Sequence, residues 1–153
     1  MATLTPEETL NYLYSLTPKG IKLGLKNISS VLNGLGNPQL NTPTIHIAGT
    51  NGKGSTAAFC ESILRNAGYK VGLYTSPHLN HFGERIQINR IPLSENELIQ
   101  LVAKVKHVVE NLKIPITFFE FATAMAFLHF AEQETDINVI EVGMGGRLDA
   151  TSL

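Results

Sequence analysis

The chain has 153 residues, of which 43% are hydrophobic and 16% are charged, and its formal net charge is −1. This composition is typical of a soluble globular protein, and the length suits one packed domain rather than two. Lysine and arginine are not clustered, which disfavours a broad nucleic-acid-binding surface. The first residues lack the basic and apolar regions of a targeting signal, and no apolar run is long enough to span a bilayer. We therefore expect a cytoplasmic protein with neither a nucleic-acid nor a membrane partner.

Two helices are predicted before residue 40. Thr5 is an N-cap, and Glu8 stands at the spacing of a capping box. This first helix ends before Pro18, and a second is predicted over 25–35, with apolar residues on one face.

Strands and helices alternate from residue 44 onward. Strands are predicted over 44–48, 71–74, 85–89 and 137–142, and helices over 55–67, from 94 onward and over 117–134. The second of these helices opens with Ser94 and Glu97 at capping-box spacing. This alternation predicts an α/β fold of the P-loop type, a mainly parallel sheet with helices on both faces.

The cysteine and several histidines have structural interpretations. A single cysteine forms no internal disulfide and indicates a reducing compartment, and Cys60 lies among apolar helical positions, which predicts burial. His78 and His81 lack an accompanying cysteine or carboxylate, which disfavours a zinc site. His46 and His129 are expected to be hydrogen-bonded core or boundary residues.

A glycine-rich segment, Gly-Thr-Asn-Gly-Lys-Gly-Ser-Thr at 49–56, lies between a predicted strand and a predicted helix. Glycines let successive backbone N–H groups point into one concavity, and the helix N-terminus adds positive potential, so the segment is typical of a phosphate loop. The general pattern has glycine at position 47 and a hydroxyl residue at 54, whereas this chain has Ile47 and Gly54. The alternative is a glycine-rich turn without a ligand. The predicted ATP-binding residues are Asn51, Gly52, Lys53, Gly54, Ser55 and Thr56, with Lys53 also catalytic.

Glu141 is the metal candidate. It ends an apolar strand and therefore stands at the carboxyl edge of the predicted sheet, beside the phosphate loop. The alternative is an edge carboxylate that holds a loop in place.

Several motifs together resemble one family. The segment 48–56 resembles the nucleotide loop of the Mur ligase superfamily in its folylpolyglutamate synthase/dihydrofolate synthase version. The other landmarks follow in that family's order: Leu-Gly-Leu at 23–25, Thr-Ser-Pro-His-Leu at 75–79, Glu-Arg-Ile at 84–86, Phe-Phe-Glu-Phe at 118–121, and Glu-Val-Gly-Met-Gly-Gly-Arg-Leu-Asp-Ala-Thr at 141–151. Lys26 and Ser152 depart from the family's usual residues.

The resemblance implies an ATP-dependent ligase that adds L-glutamate to dihydropteroate, to folates or to both through an acyl phosphate. ATP and Mg²⁺ are the implied cofactors, and the full-length enzyme is expected to be a monomer. Residues 1–153 then correspond to the N-terminal portion of the ATP-binding domain, an incomplete Mur-ligase ATPase domain. We expect such a truncated portion to be inactive alone.

The resemblance also implies roles for individual residues. Ser76 and Glu141 supply magnesium ligands, and His78 shapes the loop that carries Ser76. The dihydropteroate or folate pocket is bordered by Thr117, Phe118, Phe119, Glu120, Leu148, Asp149 and Ala150. A carboxylate such as Asp149 accepts two hydrogen bonds from an aminopyrimidine edge. A third contact comes from 23–26, and Arg147 either pairs with a carboxylate or fixes its loop. Most of the phenylalanines near 118 also fit a core stripe.

Two rival functions remain at this stage. A peptidoglycan-type Mur ligase is disfavoured by the segments at 118–121 and 145–149. A small P-loop kinase or nucleotide-binding module is the other rival. The sequence does not separate dihydrofolate synthase from folylpolyglutamate synthase activity.

Overall fold

The computed structural model describes residues 3–16, 24–141, 143 and 149–153. Its helices are α1 Pro6–Ser15, α2 Lys26–Gly34, α3 Lys53–Asn66, α4 Glu95–Leu112 and α5 Phe118–Glu132. Its strands are β1 Thr44–Ile47, β2 Val71–Tyr74, β3 Ile86–Ile88, β4 Ile91–Pro92 and β5 Ile137–Glu141. Two short 3-10 helices cover Pro38–Leu40 and Phe82–Arg85. The predicted helices and strands are confirmed with small shifts at their ends, and Val142, predicted as the end of the last strand, lies outside the described residues.

Capping boxes begin three of the helices. Helices α1, α4 and α5 each have a Thr or Ser N-cap whose side chain accepts the N–H of a glutamate three residues on, and that glutamate accepts the N-cap N–H in return. The pairs are Thr5 with Glu8, Ser94 with Glu97, and Thr117 with Glu120. Two orphan backbone donors are satisfied at each start, which is why these helices begin where they do.

The described residues form one five-stranded sheet in the order β1-β5-β2-β3-β4. β5 pairs in parallel with β1 on one side and with β2 on the other, while β3 and β4 extend the sheet in antiparallel pairing. The mainly parallel sheet is therefore confirmed. The hairpin was not predicted; it turns at Asn89 and Arg90, whose φ values of 48° and 66° suit a tight two-residue turn.

Helices cover both faces of the sheet, as predicted. On one face α3 packs over Val71, Leu73 and Val139. On the other, Tyr74, Ile86 and Ile140 pack into a larger core with α1, α2, α4 and α5. Helix α5 is buried along most of its length, because it lies between the sheet and the outer helices.

Gly72 in β2 allows α5 to approach the sheet closely. A Cβ atom at this position would lie 2.4 Å from Oδ1 of Asn138 and 2.8 Å from Cδ1 of Phe130. Phe130 is fully buried, so its ring has no space into which to move. Glycine is therefore required here by packing rather than by a backbone angle.

A buried acid connects α3 to the hairpin. Glu61 is fully buried, and its Oε1 accepts a hydrogen bond of 2.7 Å from Nε of Arg65. Nε of Arg90, in the β3–β4 turn, lies 3.4 Å from its Oε2. That second contact is an ion pair that does not meet hydrogen-bond geometry. Two arginine charges thus compensate a carboxylate that would otherwise be costly to bury.

Two expectations about single residues need correction. Cys60 is half-buried beside the α3 cluster rather than buried, because it lies at the margin of the helix's packed face. His129 is buried as predicted, but His46 is exposed on the edge strand β1, where its Nε2 lies 2.6 Å from the Thr151 hydroxyl. Within the described residues, no helix combines the length and the hydropathy needed to cross a membrane.

Candidate active site

The glycine-rich loop lies where the sequence predicts it, between β1 and α3. Helix α3 begins at Lys53, after Gly52 as N-cap with a left-handed φ of 74°. The N-cap residue Gly52 has no side chain that could accept a backbone N–H, in contrast to the Thr or Ser N-caps of α1, α4 and α5. The start of α3 is therefore glycine-led and leaves the approach to its first turn clear of an N-cap side chain. The loop is exposed from 48 to 52, as are 54–56, while Lys53 is half-buried. This arrangement suits an anion that approaches from solvent.

Glu141 lies beside the start of α3. It ends β5, which pairs between β1 and β2, and its carboxylate is on the α3 side of the sheet. Its Oε2 lies 3.4 Å from the N atom of Ser76, and 4.0 Å from where a Cβ on Gly54 would be. Burial raises the pKa of the Glu141 carboxyl, while the Ser76 N–H and the charge of Lys53 offset part of that rise. The structure thus brings together Lys53, Gly54, Ser76 and Glu141 from three separate segments.

The donor set near Glu141 fits one kind of metal site. No group of three or more His, Cys, Asp or Glu residues that could hold a metal occurs among the residues described. Magnesium is commonly bound through one or two carboxylates, with phosphate oxygens and waters completing its octahedron. A carboxylate offers about four acceptor positions, and from the part of the chain that the structure describes the Glu141 carboxylate accepts one long hydrogen bond, from Ser76. The site therefore fits a magnesium ion shared with phosphate and does not fit a self-contained protein cage.

The segment after β2, which carries Ser76, is held by Glu84. The Glu84 carboxylate accepts N–H groups from three successive residues: Leu79 at 2.9 Å, Asn80 at 3.1 Å and His81 at 3.1 Å. These backbone hydrogen bonds, that of Leu79 first, lower the pKa of the Glu84 carboxyl. From the sequence, the Glu-Arg-Ile segment was predicted only as a family landmark. The feature of the sequence that indicates its structural role is an acidic residue followed by a basic one, a few residues after Ser-Pro-His.

Arg85 holds the same segment from the other side. Its Nε donates to Nδ1 of His78 at 2.7 Å, so the neutral His78 ring carries its proton on Nε2, which lies 3.1 Å from the Tyr14 hydroxyl. Burial and the Arg85 charge lower the pKa of His78, which favours this neutral form. His78 was predicted to shape the loop that carries Ser76, and in the structure it contacts both Arg85 and Tyr14.

The two phenylalanines predicted to border the acceptor pocket pack on protein rings. Phe118 stacks on Tyr14 with ring centroids 5.6 Å apart, and the Arg85 guanidinium lies 5.1 Å from its centroid. Phe119 stacks on Tyr74 at 6.0 Å, and its ring leaves no space for a side chain at Gly143. Both rings are half-buried, so each has an exposed portion beside these contacts.

The other predicted pocket residues have local structural partners. Thr117 and Glu120 form the capping box of α5. Asp149 is buried, and its Oδ1 accepts both the N–H and the hydroxyl of Thr151. Burial raises the pKa of the Tyr74 hydroxyl, and the Asp149 charge contributes to that rise. Phe119 stacks on the ring of the same tyrosine.

The remaining predicted contact residues are placed as follows. Ala150 is buried in the main core, and Lys26 is exposed at the start of α2. Leu23, Arg147 and Leu148 lie outside the described residues.

No family model matches the chain. A dihydrofolate synthase/folylpolyglutamate synthase of Bacillus subtilis (strain 168) is 41% identical over 152 residues, which are 96% of this chain and 35% of that protein. A folylpolyglutamate synthase structure from Thermotoga maritima superposes with a TM-score of 0.90 at 48% identity, over 95% of this chain and 35% of that chain. This chain is homologous to the folylpolyglutamate and dihydrofolate synthases. The family resemblance inferred from the motifs is thereby confirmed.

A further solved folylpolyglutamate synthase has the same fold. This protein, in complex with AMPPCP and folate, superposes with a TM-score of 0.94 at 40% identity, over 98% of this chain and 38% of that chain. The fold is thus that of the Mur-ligase type, as predicted. The chain spans little more than a third of the length of these folylpolyglutamate synthase relatives.

Proposed function

We propose that the full-length protein is an ATP-dependent ligase that joins L-glutamate to dihydropteroate or to a folate. The observation that carries this proposal is the glycine-led start of α3 beside Glu141, in a chain 41% identical to a dihydrofolate synthase/folylpolyglutamate synthase. Residues 1–153 are then the N-terminal portion of its ATP-binding domain. A nucleotide analogue and folate occur together in a relative of the same fold, which supports both ligand classes.

The residues from Asn51 to Thr56 bind the phosphates in this proposal. Backbone N–H groups of the loop and of the first turn of α3 donate to phosphate oxygens, and the helix dipole favours their negative charge. Lys53 neutralises charge on the transferring phosphoryl group, and Ser55 or Thr56 adds a hydroxyl. The left-handed φ of Gly52 supports this assignment, because it lets the chain turn into the helix without a side chain in the way.

Ser76 and Glu141 hold Mg²⁺ in this proposal. When bound, magnesium neutralises phosphate charge and orients the phosphates for in-line transfer. Glu141 supplies the anionic ligand from the end of β5, and Ser76 supplies a neutral hydroxyl from the segment after β2. The 3.4 Å separation between the Ser76 N atom and the Glu141 carboxylate supports placing both around one ion.

The acceptor binds between the segments 117–120 and 148–150. Its carboxylate attacks the terminal phosphorus of ATP, and ADP leaves with the electrons of the broken P–O bond. The amino group of L-glutamate then attacks the resulting acyl phosphate, and phosphate departs as the amide forms. Phe118 and Phe119 offer the exposed portions of their rings to a flat pterin, and Asp149 accepts hydrogen bonds from its aminopyrimidine edge.

Lys53→Ala in the full-length protein tests the phosphate assignment. We expect glutamate incorporation to fall by roughly 100-fold or more, because one preorganised charge on the transferring group is lost. Lys104→Ala is the matched control, since Lys104 is exposed and pairs with Glu132 on α5. Near-parental turnover in folded Lys53→Ala would contradict the proposal. ATP turnover by the parent that needs neither glutamate nor a folate would favour the rival nucleotide-binding module.

A further inference from the structure

We propose that Glu84 positions the Ser76 segment, and thereby sets how much a divalent cation strengthens nucleotide binding. This inference rests on the proposed function, because Ser76 is a metal ligand only within that proposal. Glu84 itself lies outside the residues assigned to ATP, metal or acceptor. It is a positioning residue and contacts none of the reacting atoms.

The geometry at Glu84 is that of a carboxylate enclosed by a turn. Three successive N–H groups, of Leu79, Asn80 and His81, converge on its two oxygens at 2.9, 3.1 and 3.1 Å. Such backbone concavities commonly bind anions, and here the chain fills one with its own side chain. Hydrogen bonds to a charged acceptor are roughly twice as strong as neutral ones, so this exposed turn is held in one conformation.

The rest of the segment is tied at two other points. The Thr75 N–H donates to the Arg85 carbonyl at 3.0 Å, directly before Ser76. His78, two residues after Ser76, accepts from Arg85 Nε at 2.7 Å. Arg85 is itself held between aromatic rings, 5.1 Å from the centroid of Phe118 and 5.9 Å from that of Phe82.

Ser76 therefore depends on its neighbours for its position. Its N–H contact with Glu141 is long, at 3.4 Å, and too weak to hold the loop alone. Magnesium demands near-ideal octahedral geometry with ligands at about 2.0–2.1 Å, and a neutral hydroxyl is a weak ligand. If the loop became ordered only when the ion binds, the entropy lost on ordering would lower the affinity for the ion. A loop that Glu84 already holds in place avoids this cost.

The test compares nucleotide affinity with and without metal in the full-length protein. ADP is titrated in EDTA and again in excess Mg²⁺, for the parent, Glu84→Ala, Glu84→Gln and Glu8→Gln. Glu8→Gln is the matched control, because Glu8 is also a carboxylate that accepts a backbone N–H, here at the exposed start of α1. Amide hydrogen exchange of residues 79–81 reports on the turn independently of any ligand.

We expect Glu84→Ala to keep the metal-free ADP affinity within about 2-fold and to reduce the gain from Mg²⁺ by about 10-fold, the usual effect of removing a group that orients a metal ligand. For Glu84→Gln, the gain from Mg²⁺ should lie between those of the parent and of Glu84→Ala. The amide oxygen of glutamine still accepts N–H groups, whereas its NH₂ group faces another donor. Exchange at residues 79–81 should accelerate in both Glu84 variants and not in Glu8→Gln.

An unchanged gain from Mg²⁺ in Glu84→Ala would overturn the inference. So would an equal loss of ADP affinity with and without metal, because that would indicate collapse of the whole site. If the parent shows no gain from Mg²⁺, the proposed metal site fails first and the inference fails with it. The two failures are distinguishable because one appears in the parent and the other only in the variants.

Discussion

At the scale of single residues, Glu141 is buried, and its carboxylate accepts one long hydrogen bond, from Ser76, among the residues described. In the full-length protein, we expect Glu141→Gln to reduce glutamate incorporation sharply and to raise the Mg²⁺ concentration needed for half-maximal rate. The substitution keeps the shape and removes the charge that attracts the cation. A magnesium titration of the rate measures both effects, with Glu132→Gln on α5 as control. A Glu141→Gln titration that overlays the parent's would make Glu141 structural.

Asp149 combines a structural contact with a proposed ligand contact. Its Oδ1 accepts two hydrogen bonds from Thr151, so Asp149→Ala would loosen the turn as well as remove the charge. Asp149→Asn is the sharper variant, because it keeps an acceptor oxygen. We expect it to weaken the pterin-bearing substrate by roughly 10- to 150-fold, which corresponds to about 1.5–3 kcal/mol for a hydrogen bond to a charged group. ATP affinity should be nearly unchanged.

Separate titrations of ATP and of the acceptor measure the effect of Asp149→Asn. Thr151→Val is its control, since it removes the hydroxyl contacts with Asp149 and His46 and keeps the Asp149 carboxylate. Equal losses for both ligands in Asp149→Asn would indicate collapse of the turn, and the specific part assigned to Asp149 would be unsupported.

At the scale of elements, the packing of α5 on the sheet depends on Gly72. A methyl group there would overlap Asn138 and the fully buried Phe130. We expect Gly72→Ala to lower the free energy of unfolding by about 1–3 kcal/mol, the typical cost of overpacking a core. Thermal or denaturant unfolding measures the change. The double variant Gly72→Ala/Phe130→Leu should recover less than the full loss, because Asn138 still obstructs the methyl group. If Gly72→Ala is as stable as the parent, α5 shifts away from the sheet without a loss in the free energy of unfolding, and the prediction is wrong.

At the scale of the whole molecule, residues 1–153 leave apolar surface and an unpaired strand side among the described residues. β1 lies at one edge of the sheet, and Phe59 and Ile63 are each 69% exposed on α3. We expect residues 1–153 alone to self-associate, to bind Mg-ATP weakly and to make no amide, because exposed edges and apolar patches favour association. Titration calorimetry with Mg-ATP, sedimentation and a glutamate-incorporation assay test these points. Steady incorporation by residues 1–153 would contradict the expectation.

Local patterns were sufficient for much of this molecule. The capping boxes at Thr5 and Ser94 and the short apolar runs at β1, β2 and β5 predicted helices and strands within a few residues of their bounds. A phosphate loop was predicted at 49–56 because glycine spacing, strand and helix agree over a few consecutive residues. Glu141 was predicted at the carboxyl edge of the sheet from its place at the end of an apolar run. These are properties of neighbours along the chain, and the sequence by itself determined them.

The tertiary structure alone decided which distant residues meet. The β3–β4 hairpin depends on a turn of two residues with positive φ, neither of them glycine, and its short β4 has no apolar alternation of its own. The contact of Ser76 with Glu141 spans 65 positions in the chain, and that of Tyr14 with His78 spans 64. Such contacts form when packed elements bring their ends together, and no local period encodes them. Likewise, the N–H groups of residues 79, 80 and 81 converge on the Glu84 carboxylate only in the folded chain.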